Sequence, residues 1–323
     1  MTASDTNAPA RGCVALTGAT GFVGGHILRR LIAEGWQVRA LARRPERLTD
    51  TAAGLTLVAG DLESDTALDE LVAGADAVVH CAGLVAARSD AEFERVNAAG
   101  TARLLRAAAA AGRPRFVLVS SLAAREPQLS PYARSKRQAE EVLRQHAGAL
   151  PWQALRPPVV YGPGDRATLP LFRQFTRGLV LRPAGSGRFS MLYVEDLAAA
   201  VAALLAQDAP SGSVLELDDG APGGYSWDEV LAAAGRQTGR RVRALAVPRA
   251  VQRAAAAAGA LGAVLTGRPS VLSQGKVNEI AHPDWVCRHN LLGDCISWRP
   301  AVGLDEGFSR TLAWYKAAGW LRP

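Results

Sequence analysis

The stretch Val14-Ala15-Leu16-Thr17-Gly18-Ala19-Thr20-Gly21-Phe22-Val23-Gly24-Gly25 most constrains what this chain can fold into. An apolar run of strand length stops at a glycine, three glycines recur at three-residue spacing (Gly18, Gly21, Gly24), and an amphipathic run through Leu31 follows at once. Strand, tight turn and helix in that order put a helix N-terminus at the turn, with its unpaired N–H groups and the positive end of its dipole. An anion such as a dinucleotide pyrophosphate fits there, and the glycines let the backbone come close to it with no Cβ in the way. Taken alone, the same pattern also suits an ordinary Gly-rich turn between a strand and a helix, so the rest of the chain has to decide.

Further short apolar runs alternate with helical patterns. Trp36–Ala42, Leu55–Ala59, Ala77–Cys81, Arg115–Val119 and Trp152–Arg156 read as strands, and Thr66–Val72, Ala91–Ala111 and Pro131–Gln145 as helices. Strands that are continuously apolar predict a parallel sheet covered on both faces, a doubly wound α/β fold that binds its ligands beyond the carboxyl ends of the strands. After Pro157 the pattern loosens. Helices are expected over Glu195–Ala206, Trp227–Gln237 (capped by Ser226), Arg249–Leu265 and Leu304–Ala318, with a strand over Ser213–Leu217. The expected organisation is a loose tail over 1–11, a dinucleotide-binding domain over 12–160, and a smaller, mostly substrate-binding α/β lobe over 161–323, some of whose elements return to the main sheet.

Composition excludes several classes. The tail has no apolar centre of a signal peptide, and the longest apolar stretch, Ala254–Leu265, falls short of the ~18–20 residues that span a bilayer. The four cysteines form no CxxC pair and no zinc pattern, so a reduced, cytoplasmic, metal-free protein is expected. Net charge is +7, but the basic residues are scattered, with no run of five and no interleaved aromatics. That favours a solvated surface over a nucleic-acid face.

Of 37 basic residues only three are lysines, and Lys136 stands four after Tyr132 near the start of a helix. That spacing puts phenol and ammonium on one helical face, where the charge is expected to lower the phenol's pKa toward a working range. A tyrosine so placed gives or takes a proton. Ser120-Ser121 directly follow the Arg115–Val119 strand, at the end where this fold meets its cofactor, so a hydroxyl there can reach a substrate oxygen.

Thr17-Gly18-Ala-Thr20-Gly21-Phe22-Val23-Gly24, Asp61-Leu62, His80-Cys-Ala82-Gly83, Asn97, Ser121, Tyr132-x-x-x-Lys136 and Arg156-Pro157-Pro-Val159-Val160-Tyr161-Gly-Pro together resemble the extended short-chain dehydrogenase/reductases, the NAD-dependent epimerase/dehydratase family. The resemblance runs from about Cys13 to Leu205. It implies a Rossmann fold that binds NAD(H) or NADP(H), with Tyr132 as catalytic acid/base, Lys136 holding the nicotinamide ribose, Ser121 polarising the reacting oxygen and Asn97 supporting the site. The dinucleotide would be lined by the glycine turn, Asp61 and Leu62 at the adenine, Ala82, Gly83, Pro157 and Val160. The gap from Ser121 to Tyr132 is shorter than in most extended members, so a loop that often touches substrate is trimmed.

At the end of the second strand Ala42 is followed by Arg43-Arg44, with no carboxylate for a ribose hydroxyl. A guanidinium suits a 2′-phosphate, so NADP(H) is expected in preference to NAD(H). Val159 and Phe189 stand where sugar-nucleotide members carry polar diphosphate contacts, and with Val85 they are read as apolar substrate contacts. The combination resembles ketone-reducing branches, and the Ala281–Trp285 and Leu312–Trp320 stretches resemble bacterial relatives of sphingolipid synthesis, for which the implied reaction is reduction of a 3-oxo group on a ceramide-like lipid. The expected partner is a hydrophobic small molecule, steroid-like or ceramide-like, with a homodimer as the assembly. Arg249–Leu265 is read either as a packing helix or as one that covers an acyl chain or lies on the inner membrane face. A nucleotide-sugar epimerase or dehydratase and a non-catalytic NADP-binding sensor remain the alternatives.

Overall fold

Strands that are apolar on both sides cannot leave either face to water, so helices must cover the sheet above and below. The computed structural model describes residues 11–48, 52–185, 187–266 and 273–321, and it has that layered arrangement. The tail expected over 1–11 lies outside the described residues except for Arg11. Strands β1 (Cys13–Thr17), β2 (Gln37–Ala42), β3 (Leu55–Ala59), β4 (Ala77–His80), β5 (Arg115–Val119) and β6 (Trp152–Arg156) alternate with helices α1 (Phe22–Ala33), α2 (Asp65–Val72), α3 (Asp90–Phe93), α4 (Gly100–Ala110) and α5 (Pro131–His146). Next come β7 (Val159–Tyr161), α6 (Leu169–Arg177), β8 (Leu179–Pro183), β9 (Arg188–Phe189), β10 (Met191–Tyr193), α7 (Val194–Ala206) and β11 (Ser213–Glu216). The remaining elements are α8 (Trp227–Thr238), β12 (Arg243–Val247), α9 (Arg249–Thr266), α10 (Gln274–Ala281), β13 (Asp284–Trp285), α11 (Leu292–Cys295) and α12 (Leu304–Ala317).

Seven strands form one sheet in the order β11-β6-β5-β4-β1-β2-β3, every pair parallel. The chain winds from β1 outward to β3, then crosses back to β4 on the other side of β1. The order therefore reverses between β1 and β4, which opens a crevice at their carboxyl ends. Ile27, Leu28, Leu31, Val201 and Leu204 from α1 and α7 seal one face; Leu68, Leu71, Leu104, Leu105 and Leu143 from α2, α4 and α5 seal the other. A third core, rich in aromatics, joins Tyr161, Phe172, Phe175, Tyr193, Phe308 and Tyr315.

The expected strands and helices of the first half are present with ends shifted by a residue or two, with one difference. The helix expected over Ala91–Ala111 is α3 and α4 joined through a wider, π-type turn at Glu94–Ala99, which carries Asn97. In the second half, β11 rejoins the main sheet beside β6, and α7 packs on the sheet face with α1 rather than in the smaller lobe. The boundary expected at residue 160 falls inside β7, which pairs with β10. Strands β7 to β10, β12 and β13, only two to five residues long, were not anticipated. Ser226 caps α8 as expected, in a capping box with Glu229.

A buried polar cluster ties the strand ends to α5. The Arg156 guanidinium donates to both carboxylate oxygens of Glu140, at 2.8 and 2.6 Å, and the Ser120 hydroxyl donates to the same carboxylate at 2.7 Å. Glu140 has no exposed surface and Arg156 is 8% exposed. Glu140→Ala would leave that guanidinium buried without its partner, so a loss of about 3–5 kcal/mol in unfolding free energy is expected. Urea denaturation followed by circular dichroism measures it; a loss below about 1 kcal/mol would show that Arg156 finds another partner.

Candidate active site

The glycine turn lies at the crevice. Gly18 has φ +81°, and a Cβ there would fall 2.6 Å from the Ala82 backbone nitrogen; at Gly24 a Cβ would fall 2.0 Å from the Gly18 carbonyl oxygen. Only glycine lets β1, the start of α1 and the end of β4 approach this closely. The Gly21 N-cap of α1 has no side-chain cap, and its first turn holds no acid. The Gly25 amide is bonded to the Gly21 carbonyl, which leaves the amides of Phe22, Val23 and Gly24 ahead of it for an anion. A dinucleotide pyrophosphate fits this donor set. Leu62 is buried against Gly100, where a Cβ would meet it at 2.9 Å, and the neighbouring Asp61 carboxylate accepts the Glu63 amide at 2.9 Å. At the end of β2, Arg43 and Arg44 are both exposed, and among the described residues neither makes an ion pair.

Two of the sequence-derived residues, Asn97 and Lys136, converge on Gly83. Asn97 is buried; its Oδ1 accepts the Leu84 amide at 2.7 Å, and its Nδ2 donates to the Leu84 carbonyl at 3.0 Å and to the Ser135 hydroxyl on α5 at 2.9 Å. The Lys136 ammonium donates to the Val119 carbonyl at 2.8 Å, and a Cβ on Gly83 would lie 3.6 Å from it. The Ser121 hydroxyl accepts the Ala123 amide at 3.2 Å, and Tyr132 lies on the first turn of α5. Ser130 caps α5 through the Ala133 amide at 2.9 Å, which fixes the first turn that carries Tyr132.

The electrostatics correct one expectation. The Tyr132 phenol is pushed up to about 12, chiefly by burial, with the Ser121 hydroxyl rather than Lys136 acting against the rise. Burial also lowers Lys136, whose ammonium is committed to the Val119 carbonyl. A phenol held this high keeps its proton at neutral pH, the state a general acid needs.

The Thr17 and His80 motif positions take a role that the sequence did not assign them. His80 runs a directed chain behind the site: the Ala82 amide donates to the Thr17 hydroxyl at 3.2 Å, Thr17 donates to His80 Nδ1 at 2.7 Å, His80 Nε2 donates to Thr101 at 3.0 Å, and Thr101 donates to the Asn97 carbonyl at 2.6 Å. The directions follow because Thr101 spends its proton on Asn97 and so must accept from the ring. Burial drives His80 down to about 3, so the imidazole is neutral and its tautomer fixed.

A group that the sequence reading missed is Glu279 on α10. It is buried, accepts a hydrogen bond from the Ser130 hydroxyl, pairs with Lys276 at 3.0 Å and pushes Tyr132 upward. Asn278 donates to the Leu129 carbonyl at 3.2 Å, and Arg125 donates to the Asp284 and Val286 carbonyls. Residues 276–286 thus grip the Ser121–Ser130 loop from the smaller lobe. No spacing rule links them to Tyr132; the Ala281–Trp285 resemblance was the only signal in that region.

The remaining sequence-derived residues are more dispersed. Pro157 is buried, and its carbonyl accepts the Leu122 amide at 2.9 Å, which joins its loop to the Ser121 turn. Val160 is partly buried in β7, whereas Val159 and Val85 are 43% and 77% exposed. Phe189 packs on Trp227, ring centroids 5.4 Å apart, and pairs through β9 with Trp285. From that side it is Trp285, with Arg125 5.8 Å above its ring, that meets the Ser121–Ser130 loop. Among the described residues no cluster of His, Cys, Asp and Glu is arranged for a metal, and no helix is long and apolar enough to cross a membrane.

Comparison with known proteins agrees with this geometry. The family model described as NAD dependent epimerase/dehydratase family matches residues 14–217. Among curated relatives, a ceramide reductase of Caulobacter vibrioides (strain NA1000 / CB15N) is 41% identical over 314 residues, covering 97% of this chain and 97% of its own. A 4-hydroxy-2-methyl-3-oxo-4-farnesyl-3,4-dihydroquinoline-1-oxide ketoreductase of Stigmatella aurantiaca is 35% identical over 228 residues, covering 64% and 68% of the two chains. Among solved structures, MoeE5 in complex with UDP-glucose and NAD superposes with a TM-score of 0.73 at 24% identity over 95% of this chain and 99% of its own, which shows the shared fold. With this match, the glycine turn and the Tyr132/Lys136 pair in one site, the chain belongs to the NAD-dependent epimerase/dehydratase family and is, as a member of it, an NAD(P)-dependent oxidoreductase.

Proposed function

We propose that this enzyme reduces the ketone of a lipophilic substrate, of the 3-oxo-ceramide class, at the expense of NADPH. The observation that carries the reading is Tyr132 on the first turn of α5 with Lys136 one turn on, the ammonium bonded to the Val119 carbonyl and lying beside Gly83. When bound, a reduced nicotinamide supplies a hydride to the carbonyl carbon. Tyr132 then donates its proton to the carbonyl oxygen, Ser121 hydrogen-bonds that oxygen, and Asn97 holds α5 and the Leu84 loop in register. Lys136, bonded to the Val119 carbonyl and beside Gly83, would hold the nicotinamide ribose. The Gly18–Gly24 turn with the Thr20, Phe22 and Val23 segment would hold the pyrophosphate, and Asp61, Leu62, Ala82, Gly83, Pro157 and Val160 would line the rest.

The similarity to a ceramide reductase across 97% of the chain supports a lipid ketone, as do the exposed apolar side chains of Val85 and Val159. A nucleotide-sugar epimerase is the second reading, favoured by the family model, but Val159 and Phe189 offer no donor to a diphosphate. NADPH oxidation measured with long-chain 3-oxo lipids and, in parallel, UDP-sugar turnover separate the two.

Tyr132→Phe is expected to lower reductive turnover by about 10²- to 10⁴-fold while dinucleotide affinity is unchanged. Because the folded phenol loses its proton only on approach to about 12, the reductive rate should not fall through Tyr132 deprotonation as pH rises to ordinary alkaline values. A wild type no faster than Tyr132→Phe on every ketone would sink the reading. Arg43→Asp removes the cation offered to a 2′-phosphate and should move the NADPH/NADH affinity ratio toward NADH by about ten- to a hundredfold. Fluorescence titration with both dinucleotides checks it, and an unchanged ratio overturns the NADPH assignment.

A further inference from the structure

The positive charge of this protein is not evenly shared. Residues 166–194 and 230–278 hold 13 of the 37 basic residues and none of the 30 acids, which leaves the rest of the chain with 24 basic against 30 acidic residues. The two segments meet where β8 pairs in parallel with β12, so that Leu181 lies opposite Leu245 and Leu179 opposite Arg243. Val180 between the two β8 leucines is fully buried, so alternation turns Leu179 and Leu181 away from the lobe core. They are 50% and 56% exposed; Leu245 is 57% exposed, and Val251 on the first turn of α9 is 56% exposed. Around them Arg177, Arg240, Arg241, Arg243 and Arg253 are exposed, and among the described residues none is in an ion pair.

We propose that the β8/β12 ribbon and the start of α9 form a docking surface for an anionic lipid bilayer. Leucines on one face of a ribbon set among arginines match the two layers of such a surface. The apolar side chains enter the headgroup boundary, and the guanidiniums meet lipid phosphates. Two other occupants fit less well. A second copy on a two-fold axis would bring this arginine field against itself, with no carboxylate on either segment to answer it. A nucleic acid would meet aliphatic side chains where stacking aromatics are wanted, since the ribbon carries no aromatic residue. The surface follows from charge and exposure and does not depend on the ketone reading.

Flotation with vesicles of phosphatidylglycerol and phosphatidylethanolamine, compared with pure phosphatidylcholine, tests the proposal on the full chain. The wild type should float with the anionic vesicles and not with the zwitterionic ones, and raised salt should release it. The triple variant Arg240→Glu, Arg241→Glu, Arg243→Glu should lose about a hundredfold in partitioning. Leu181→Ser with Leu245→Ser should also reduce it, and NADPH titration of both variants confirms that they fold. The proposal is overturned if the wild type does not float, if the triple variant floats equally well, or if the leucine variant instead abolishes self-association. It is equally overturned if an RNA oligomer competes the protein off the vesicles yet binds the leucine variant unchanged.

Discussion

The close passage of three backbone segments at the carboxyl end of β1 is the constraint on which the rest of the structure depends. Gly18 touches the start of the loop after β4, and Gly24 on α1 touches Gly18, at distances that leave no room for a side chain. Because β1 and β4 are neighbours only through the reversal of strand order, this contact is also the crevice of the doubly wound sheet. The open N-terminus of α1 faces that crevice as a consequence. One steric condition therefore sets both the topology of the sheet and the place where an anion can be held.

Around the crevice, polar groups are buried only where each is answered. The chain from Ala82 through Thr17, His80 and Thr101 to the Asn97 carbonyl uses every donor in one direction around a His80 that burial keeps neutral, and the Asn97 side chain is tied to α5 through Ser135. The Ser120–Glu140–Arg156 cluster does the same for the ends of β5 and β6. Both networks lie behind the reacting groups rather than among them. They hold Tyr132, Ser121 and Lys136 on rigid elements, so the positions of these residues follow from packing as well as from their own bonds.

The smaller lobe completes the site from the far side. Through Glu279, Asn278 and the carbonyls of Asp284 and Val286 it fastens the turn from Ser121 to Ser130, and it sets the phenol's environment as it does so. The chain returns twice to the main sheet on the way, through α7 and β11, so the two halves are interleaved rather than strung in series.

Much of this was legible in the sequence because local rules sufficed. Parallel strands buried on both faces are continuous apolar runs, a cap such as Ser226 marks a helix start, and a glycine turn or a Tyr-x-x-x-Lys spacing is defined within a few residues. From these came the expected doubly wound sheet, the glycine turn as an anion cradle and the Tyr132/Lys136 pair; the grouping of Ser121 and Asn97 with that pair came from the family resemblance. Only the tertiary structure decided what depends on residues far apart in the chain. The pairing of β8 with β12, some 60 residues on, sets Arg243 opposite Leu179; the approach of Glu279 to Ser130 grips the start of α5; and burial, not Lys136, governs the Tyr132 phenol. The physical reason is the same in each case. Solvent exclusion and long-range pairing are properties of the packed whole, and strands of two to five residues carry too little periodicity to announce their partners.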